Sequence, residues 1–298
     1  MIINTRSNEH LVRAMKKMHS FVESPDVKHI RQKQENVSGL FVNREISYED
    51  IEIEDIHAEW VSTVEDVKDD CIILYCHGGG YNTGSFRYAR SVTNKLAENT
   101  GYKVLAFDYR LAPEFPYPCA LEDALKVWNY LLSLGYTSDN IVVAGDSAGG
   151  NLALSLTLRL KELTMDLPRG LVLFSPWTDL TLEGVSHVER AEMDPILSEE
   201  YIISAVEDYA KEEDLKNPLI SPLFGNFDGF PPSYIQVGDH EILLSDSEEL
   251  ASCMRAYNVD VKFELYEGMW HVFQMSPLKT GVEAMERVGD YIKELIDK

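Results

Sequence analysis

The 298-residue chain predicts a doubly wound α/β domain built on a mostly parallel sheet of eight strands. Three observations carry that expectation. Short runs at 72–76, 103–107, 141–144, 171–174 and 234–237 are apolar on both faces, as strands covered on both sides must be. Helix-period stretches separate most of these runs. One run, 141–144, passes through Gly145-Asp146-Ser147-Ala148-Gly149-Gly150 straight into a helical pattern, which makes a strand, a tight turn and a helix.

Taken in order, residues 5–35 are polar, with Leu11, Val12, Met15, Met18, Phe21 and Val22 on one helical face and a break at Ser24-Pro25. They read as an amphipathic covering arm. Residues 46–64 alternate and predict an antiparallel hairpin at a sheet edge. The apolar strand CIILYC at 71–76 runs into His77-Gly78-Gly79-Gly80-Tyr81. A helix over 86–99, a strand over 103–107 and a helix over 119–134 follow, the last with Leu121, Trp128 and Leu131 on its apolar side. After strand 171–174 the alternation breaks for an acidic insertion, helical at about 198–211. It resumes with strand 234–237, helix 245–257, strand 261–266 and a last helix from about 279. The expected organisation is one catalytic domain, 46–177 with 221–298, capped by 1–45 and 178–220.

Composition narrows the function classes. Hydrophobic residues make up 45% of the chain, enough for a large core. A net charge of −23 argues against nucleic acid or an anionic membrane as partner, since both require basic patches. No apolar run approaches the roughly 20 residues of a membrane span, and residues 1–17 lack a signal-peptide core. Cys71, Cys76, Cys119 and Cys253 lack metal-ligand spacing and read as reduced thiols in a cytoplasmic protein with no metal and no cofactor.

The chemistry centres on G-x-S-x-G at 145–149. The turn lifts the Ser147 hydroxyl off the sheet to a helix N-terminus, where the dipole favours developing negative charge. A serine nucleophile needs a base, an acid to orient it and donors for an oxyanion. Reacting groups in open α/β sheets gather at the carboxyl ends of strands. There the HGGG run offers the N–H groups of Gly78 and Gly79, which with that of Ala148 would form an oxyanion hole. In α/β-hydrolases the acid and then the base follow the serine along the chain, which excludes the histidines before Ser147. His271 follows the last strand and reads as the base. Asp239, Glu241 and Asp246 all follow strand 234–237. Asp239 falls at the turn and Asp246 at the start of a helix, so Glu241 is preferred as the acid, with Asp246 second. Tyr81 and Trp177 read as walls of a substrate pocket.

These motifs also carry a resemblance. HGGG at 77–80, DYRLAPE at 108–114, GDSAGG at 145–150, SPWTDL at 175–180 and MWHVF at 269–273 resemble the hormone-sensitive-lipase-like, bacterial type IV carboxylesterases in order and spacing. The resemblance implies an α/β-hydrolase fold with a helical cap and cofactor-free hydrolysis of short-chain acyl esters. It aligns Glu241 with the Asp that many members carry in a D-P-L-x-D pattern, and a branch of the family uses Glu there. Asp108, Arg110 and Asp146 read as scaffolding. The partners implied are a small acyl ester and water, and family analogy permits a homodimer through edge strand 261–266. An amidase or deacetylase would use the same triad. A non-catalytic receptor, such as the gibberellin receptors on this fold, would lack the base that His271 supplies.

Overall fold

The structure is a computed structural model and describes residues 2–3, 27–211 and 213–298. The apolar positions of the expected N-terminal arm, Leu11 to Val22, lie outside the described residues. The sheet contains the eight expected strands and a two-residue ninth, β1 (Ile2–Ile3). Helix α1 (Val27–Ser38) precedes the antiparallel hairpin of β2 (Ile46–Ile53) and β3 (Ile56–Thr63), which forms one edge of the sheet.

From β4 (Lys68–Cys76) onward the sheet is parallel, and helices alternate with strands. Helix α2 (Arg90–Thr100), β5 (Tyr102–Phe107), α3 (Cys119–Ser133), β6 (Ile141–Asp146), α4 (Ala148–Glu162) and β7 (Gly170–Phe174) follow in turn. The insertion then contributes a short helix, α5 (Ser186–Glu189), and a longer one, α6 (Glu199–Ala210). The chain closes with β8 (Ser233–Gly238), α7 (Leu244–Ala256), β9 (Val261–Tyr266) and α8 (Lys279–Ile296). The strand order is β1-β9-β8-β7-β6-β4-β5-β3-β2. Strand 261–266 is therefore not the sheet's outermost strand, because Ile2 and Ile3 pair with Leu265 and Tyr266.

The period-two pleat of a fully buried strand sorts its side chains into two cores. Along β4, Ile72, Leu74 and Cys76 face one layer, with Trp128 of α3, Leu152 of α4 and Met254 of α7. Cys71, Ile73 and Tyr75 face the other, with Val92 and Leu96 of α2 and Val288 and Ile292 of α8. Apolar area buried on both faces stabilises the sheet at about 25 cal/mol per Å². All four cysteines are free thiols, and burial pushes Cys71 up to about 12. No helix among the described residues is long and apolar enough to cross a membrane.

One buried ion pair ties α2 to the hairpin. Glu59 of β3 is fully buried, and burial raises its carboxyl while the bidentate guanidinium of Arg90 opposes the rise. Arg90 also stacks over the Tyr48 ring at 4.3 Å. Removing one partner of such a pair strands the other charge inside the protein. Arg90→Ala should therefore cost about 3 kcal/mol or more, read as a lower urea midpoint. Equal stability of the variant would contradict this role for the pair.

Candidate active site

Ser147 sits between β6 and α4 with φ 54° and ψ −123°, a conformation that side chains resist. Conformations of this kind cost about 1–3 kcal/mol and persist only where the surroundings fix them. Here the surroundings do. The Ser147 N–H donates to Phe174 O at 2.9 Å, and its carbonyl accepts from Trp177 N at 3.1 Å. On either side the backbone packs so closely that a side chain has no room. A Cβ on Gly145 would overlap the Gly149 carbonyl, and one on Gly149 would overlap the carbonyls of Cys76 and His77. That closeness brings the elbow against the glycine turn after β4.

Asp146 fastens the two together. Its Oδ1 accepts from Tyr75 Oη at 2.6 Å and from Gly78 N at 3.0 Å. Burial raises its carboxyl, and the Tyr75 hydroxyl, the His271 charge and the Gly78 N–H work against that rise. His77 is buried and stacks on Tyr109 at 4.2 Å, and burial pushes its imidazole down to about 4.

This fastening corrects one expectation. The Gly78 N–H is committed to Asp146 and is not open to an oxyanion. The N–H groups of Gly79 and Gly80 meet no acceptor among the described residues. Gly79 has φ +116° and Gly80 φ +61°, backbone that glycine adopts without strain. Ala148 opens α4, where an N–H has no intrahelical acceptor. The open donors are thus Gly79, Gly80 and Ala148.

Just after β8 and β9 lie the residues expected to be the acid and the base. His271 Nδ1 is 2.9 Å from Glu241 Oε2. Glu241 is fully buried, and its Oε1 accepts from Ser175 Oγ at 2.8 Å and from Gly238 N at 2.6 Å. Ser175 Oγ also accepts from Val272 N at 3.2 Å, so one hydroxyl bridges Glu241 to the residue after His271. Burial alone would lower the His271 pKa. The hydrogen bond and charge of Glu241, with Asp194 and Asp146 beyond, outweigh burial and hold it above the ordinary imidazole value. His271 and Ser147 each keep a little exposure, 6% and 8%.

Asp246, the second choice for the acid, is committed elsewhere. Its Oδ2 accepts from Thr178 N and Asp179 N, and its Oδ1 lies 3.2 Å from His187 Nε2. Tyr81 and Trp177 are packed side chains and not open pocket walls. Tyr81 donates to Asn151 Oδ1 at 2.7 Å and stacks on Tyr209 of α6 at 3.7 Å, and Trp177 is 1% exposed. Asp108 and Arg110 do make internal contacts, Asp108 accepting from Phe86 N and Arg110 pairing with Asp123.

Helices α1 and α6 lie against the glycine turn. Arg31 of α1 donates to Asn82 O and Ala112 O. A Cβ on Gly80 would stand 2.7 Å from Tyr201 Oη of α6. Sequence reasoning passed over Gly80, Ser175, Asp194 and Tyr201. Gly80 and Ser175 belong to recognised motifs, HGGG and SPWTDL, whereas Asp194 and Tyr201 sit in the insertion without a local signal.

Comparison with known proteins agrees with this architecture. A family model described as the alpha/beta hydrolase fold matches residues 73–275. An esterase of Acinetobacter venetianus is 41% identical over 205 residues, 68% of each chain. An acetyl-hydrolase of Streptomyces hygroscopicus is 36% identical over 238 residues, 79% of each chain. The crystal structure of an esterase from the bacterial hormone-sensitive lipase family superposes with a TM-score of 0.92 at 34% identity, covering 98% of this chain and 99% of that one.

The crowding at Gly149 has a direct consequence, because the atoms a Cβ would meet are backbone and cannot rotate away. Gly149→Ala should destabilise the chain by about 3 kcal/mol or more, at or beyond the upper end for overpacking. Thermal unfolding with an unchanged midpoint would contradict it.

Proposed function

The chain belongs to the hormone-sensitive-lipase-like family of α/β-hydrolases, and from that premise we propose that it is a serine carboxylesterase acting on short-chain acyl esters. The observation that carries the reading is the Glu241–His271 hydrogen bond at the strand ends that also hold the strained Ser147 and the open N–H groups. The acetyl-hydrolase relative supports a small acyl group, and the esterase relative supports an ester substrate.

In the proposed mechanism His271 takes the Ser147 proton as the hydroxyl oxygen attacks the ester carbonyl. Glu241 accepts from His271 Nδ1, which leaves Nε2 as the basic nitrogen and stabilises the imidazolium that forms. Negative charge moving onto the carbonyl oxygen is met by the N–H groups of Gly79, Gly80 and Ala148 at the positive end of α4. Removing one such donor costs about 3 kcal/mol of transition-state stabilisation in serine hydrolases. His271 then gives its proton to the leaving alcohol, and water repeats the sequence on the acyl-Ser147 ester. The segments 1–45 and 178–220 form the proposed cap. The contacts of α1 and α6 with the glycine turn support that division.

Hydrolysis of p-nitrophenyl acetate, butyrate, octanoate and palmitate tests the reading. The native chain should turn over the short esters fastest, and Ser147→Ala should lose all turnover. Activity that survives in Ser147→Ala, or no turnover of any ester by the native chain, would overturn it.

The acid assignment gives a pH prediction. A base must be neutral to act, so kcat/KM should rise with pH through the raised His271 value. Glu241→Gln should lower kcat by on the order of a thousandfold or more and move that acid limb to lower pH, because an anion favouring the imidazolium is gone. Asp246→Asn should leave the limb in place. A limb that follows Asp246 and ignores Glu241 would reverse the assignment.

A further inference from the structure

The insertion between β7 and β8 does more than cover the glycine turn, because it grips the loop that carries Glu241. Ser186 Oγ lies 2.6 Å from Ser245 Oγ and accepts from Ser245 N at 2.9 Å. His187 meets Asp246. Ser186 Oγ also donates to Ile242 O, and Asp194, which is 4% exposed, reaches that residue from its N–H side. Asp194 Oδ1 accepts from Ile196 N at 2.8 Å and Leu197 N at 2.9 Å, inside the insertion. Its Oδ2 accepts from Ile242 N at 2.9 Å, the residue directly after Glu241. One buried carboxylate therefore pins the backbone of the acid loop to the insertion.

We propose that Asp194 is a positioning residue for the Glu241–His271 pair, setting the acid's main chain through Ile242 N–H and adding its buried charge to those that favour the imidazolium. The proposal rests on the serine-esterase reading for its effect on rate, but not for its effect on His271.

The hydrogen bonding indicates which form of Asp194 is present. Its two oxygens receive three N–H donors, and no acceptor for a carboxyl proton is seen among the described residues. That arrangement favours the carboxylate. Burial raises the Asp194 pKa, and the positive charge of His271 and the three donors oppose the rise. Three carboxyl groups act on the His271 imidazole, one by a hydrogen bond and two by charge alone. They are Glu241 from the acid loop, Asp194 from the insertion and Asp146 from the end of β6. Glu241 touches the ring directly, and Asp194 acts on it through the loop and through space. Neutralising Asp194 should thus lower the His271 value without removing its hydrogen-bond partner. An Asn side chain retains one acceptor oxygen, but its NH₂ group cannot accept from Ile242 N–H or from the insertion.

The test compares the native chain with Asp194→Asn, each first checked for native near-UV circular dichroism. The His271 imidazole is titrated by NMR, and kcat and KM for p-nitrophenyl acetate are measured across the same pH range. The expected result is a His271 titration moved to lower pH, kcat lowered tenfold or more and KM within about twofold. An unmoved titration with kcat within twofold of native would overturn the proposal. A native chain without ester turnover would sink the esterase reading, yet the titration would still judge Asp194. If Asp194→Asn does not fold, the native chain serves alone. Its Asp194 carboxyl ¹³C signal should shift as His271 titrates, and a signal indifferent to His271 would overturn the proposal.

Discussion

Ser147 holds a backbone conformation that side chains avoid, and the structure around it is arranged to keep it there. Phe174 O and Trp177 N, both at the exit of β7, clamp its N–H and carbonyl. Gly145 and Gly149 let β6, α4 and the turn after β4 approach to backbone contact. Asp146 then ties that turn to the elbow through Gly78 N. The elbow's strain is small against the burial on both sheet faces, so the fold can maintain it. The clamp also decides which N–H groups remain open. By occupying Gly78 N–H, Asp146 leaves the N–H groups of Gly79 and Gly80 as the proposed donor pair.

A similar division of labour appears at the other end of the site. Of the three carboxylates that follow β8, Asp239 accepts from Gly268 N, while Glu241 and Asp246 are each fully buried against a histidine in different settings. Glu241 is held by Ser175 Oγ and Gly238 N and faces His271, on which the charge of Asp146 in the elbow also acts. Asp246 is enclosed by the N–H groups of Thr178 and Asp179 and by His187, in contacts that join the insertion to α7. Chemistry alone does not separate the two. The difference lies in what each histidine stands next to.

Much of this was legible in the sequence, for identifiable reasons. Buried parallel strands show as apolar runs, which located five of the eight main strands, and period-two alternation located the antiparallel hairpin. The elbow and the HGGG turn were legible because tight backbone packing demands glycine at set spacings. Glu241 was preferred over Asp246 on its place relative to the helix start, and the structure puts Asp246 in the first turn of α7. What was not legible depends on contacts between distant segments. Nothing near Gly78 in the chain announces that Asp146 takes its N–H. Nothing near Tyr81 announces a stack on Tyr209, 128 residues later in the numbering. Asp194 lies in an insertion without periodicity, and only the folded chain brings its carboxylate to Ile242. The pairing of Ile2 and Ile3 with β9 involves two residues, too few to show a pattern.

The central claim is that Ser147 carries the acyl group between the two halves of the reaction. Acid-quenched mass spectrometry during turnover of p-nitrophenyl acetate, followed by peptide mapping, tests it most directly. The account predicts one acetyl group per chain, found on the peptide at Ser147 and lost as turnover ends. Turnover of the ester with no acyl adduct at any time, or with the adduct on another residue, would contradict it.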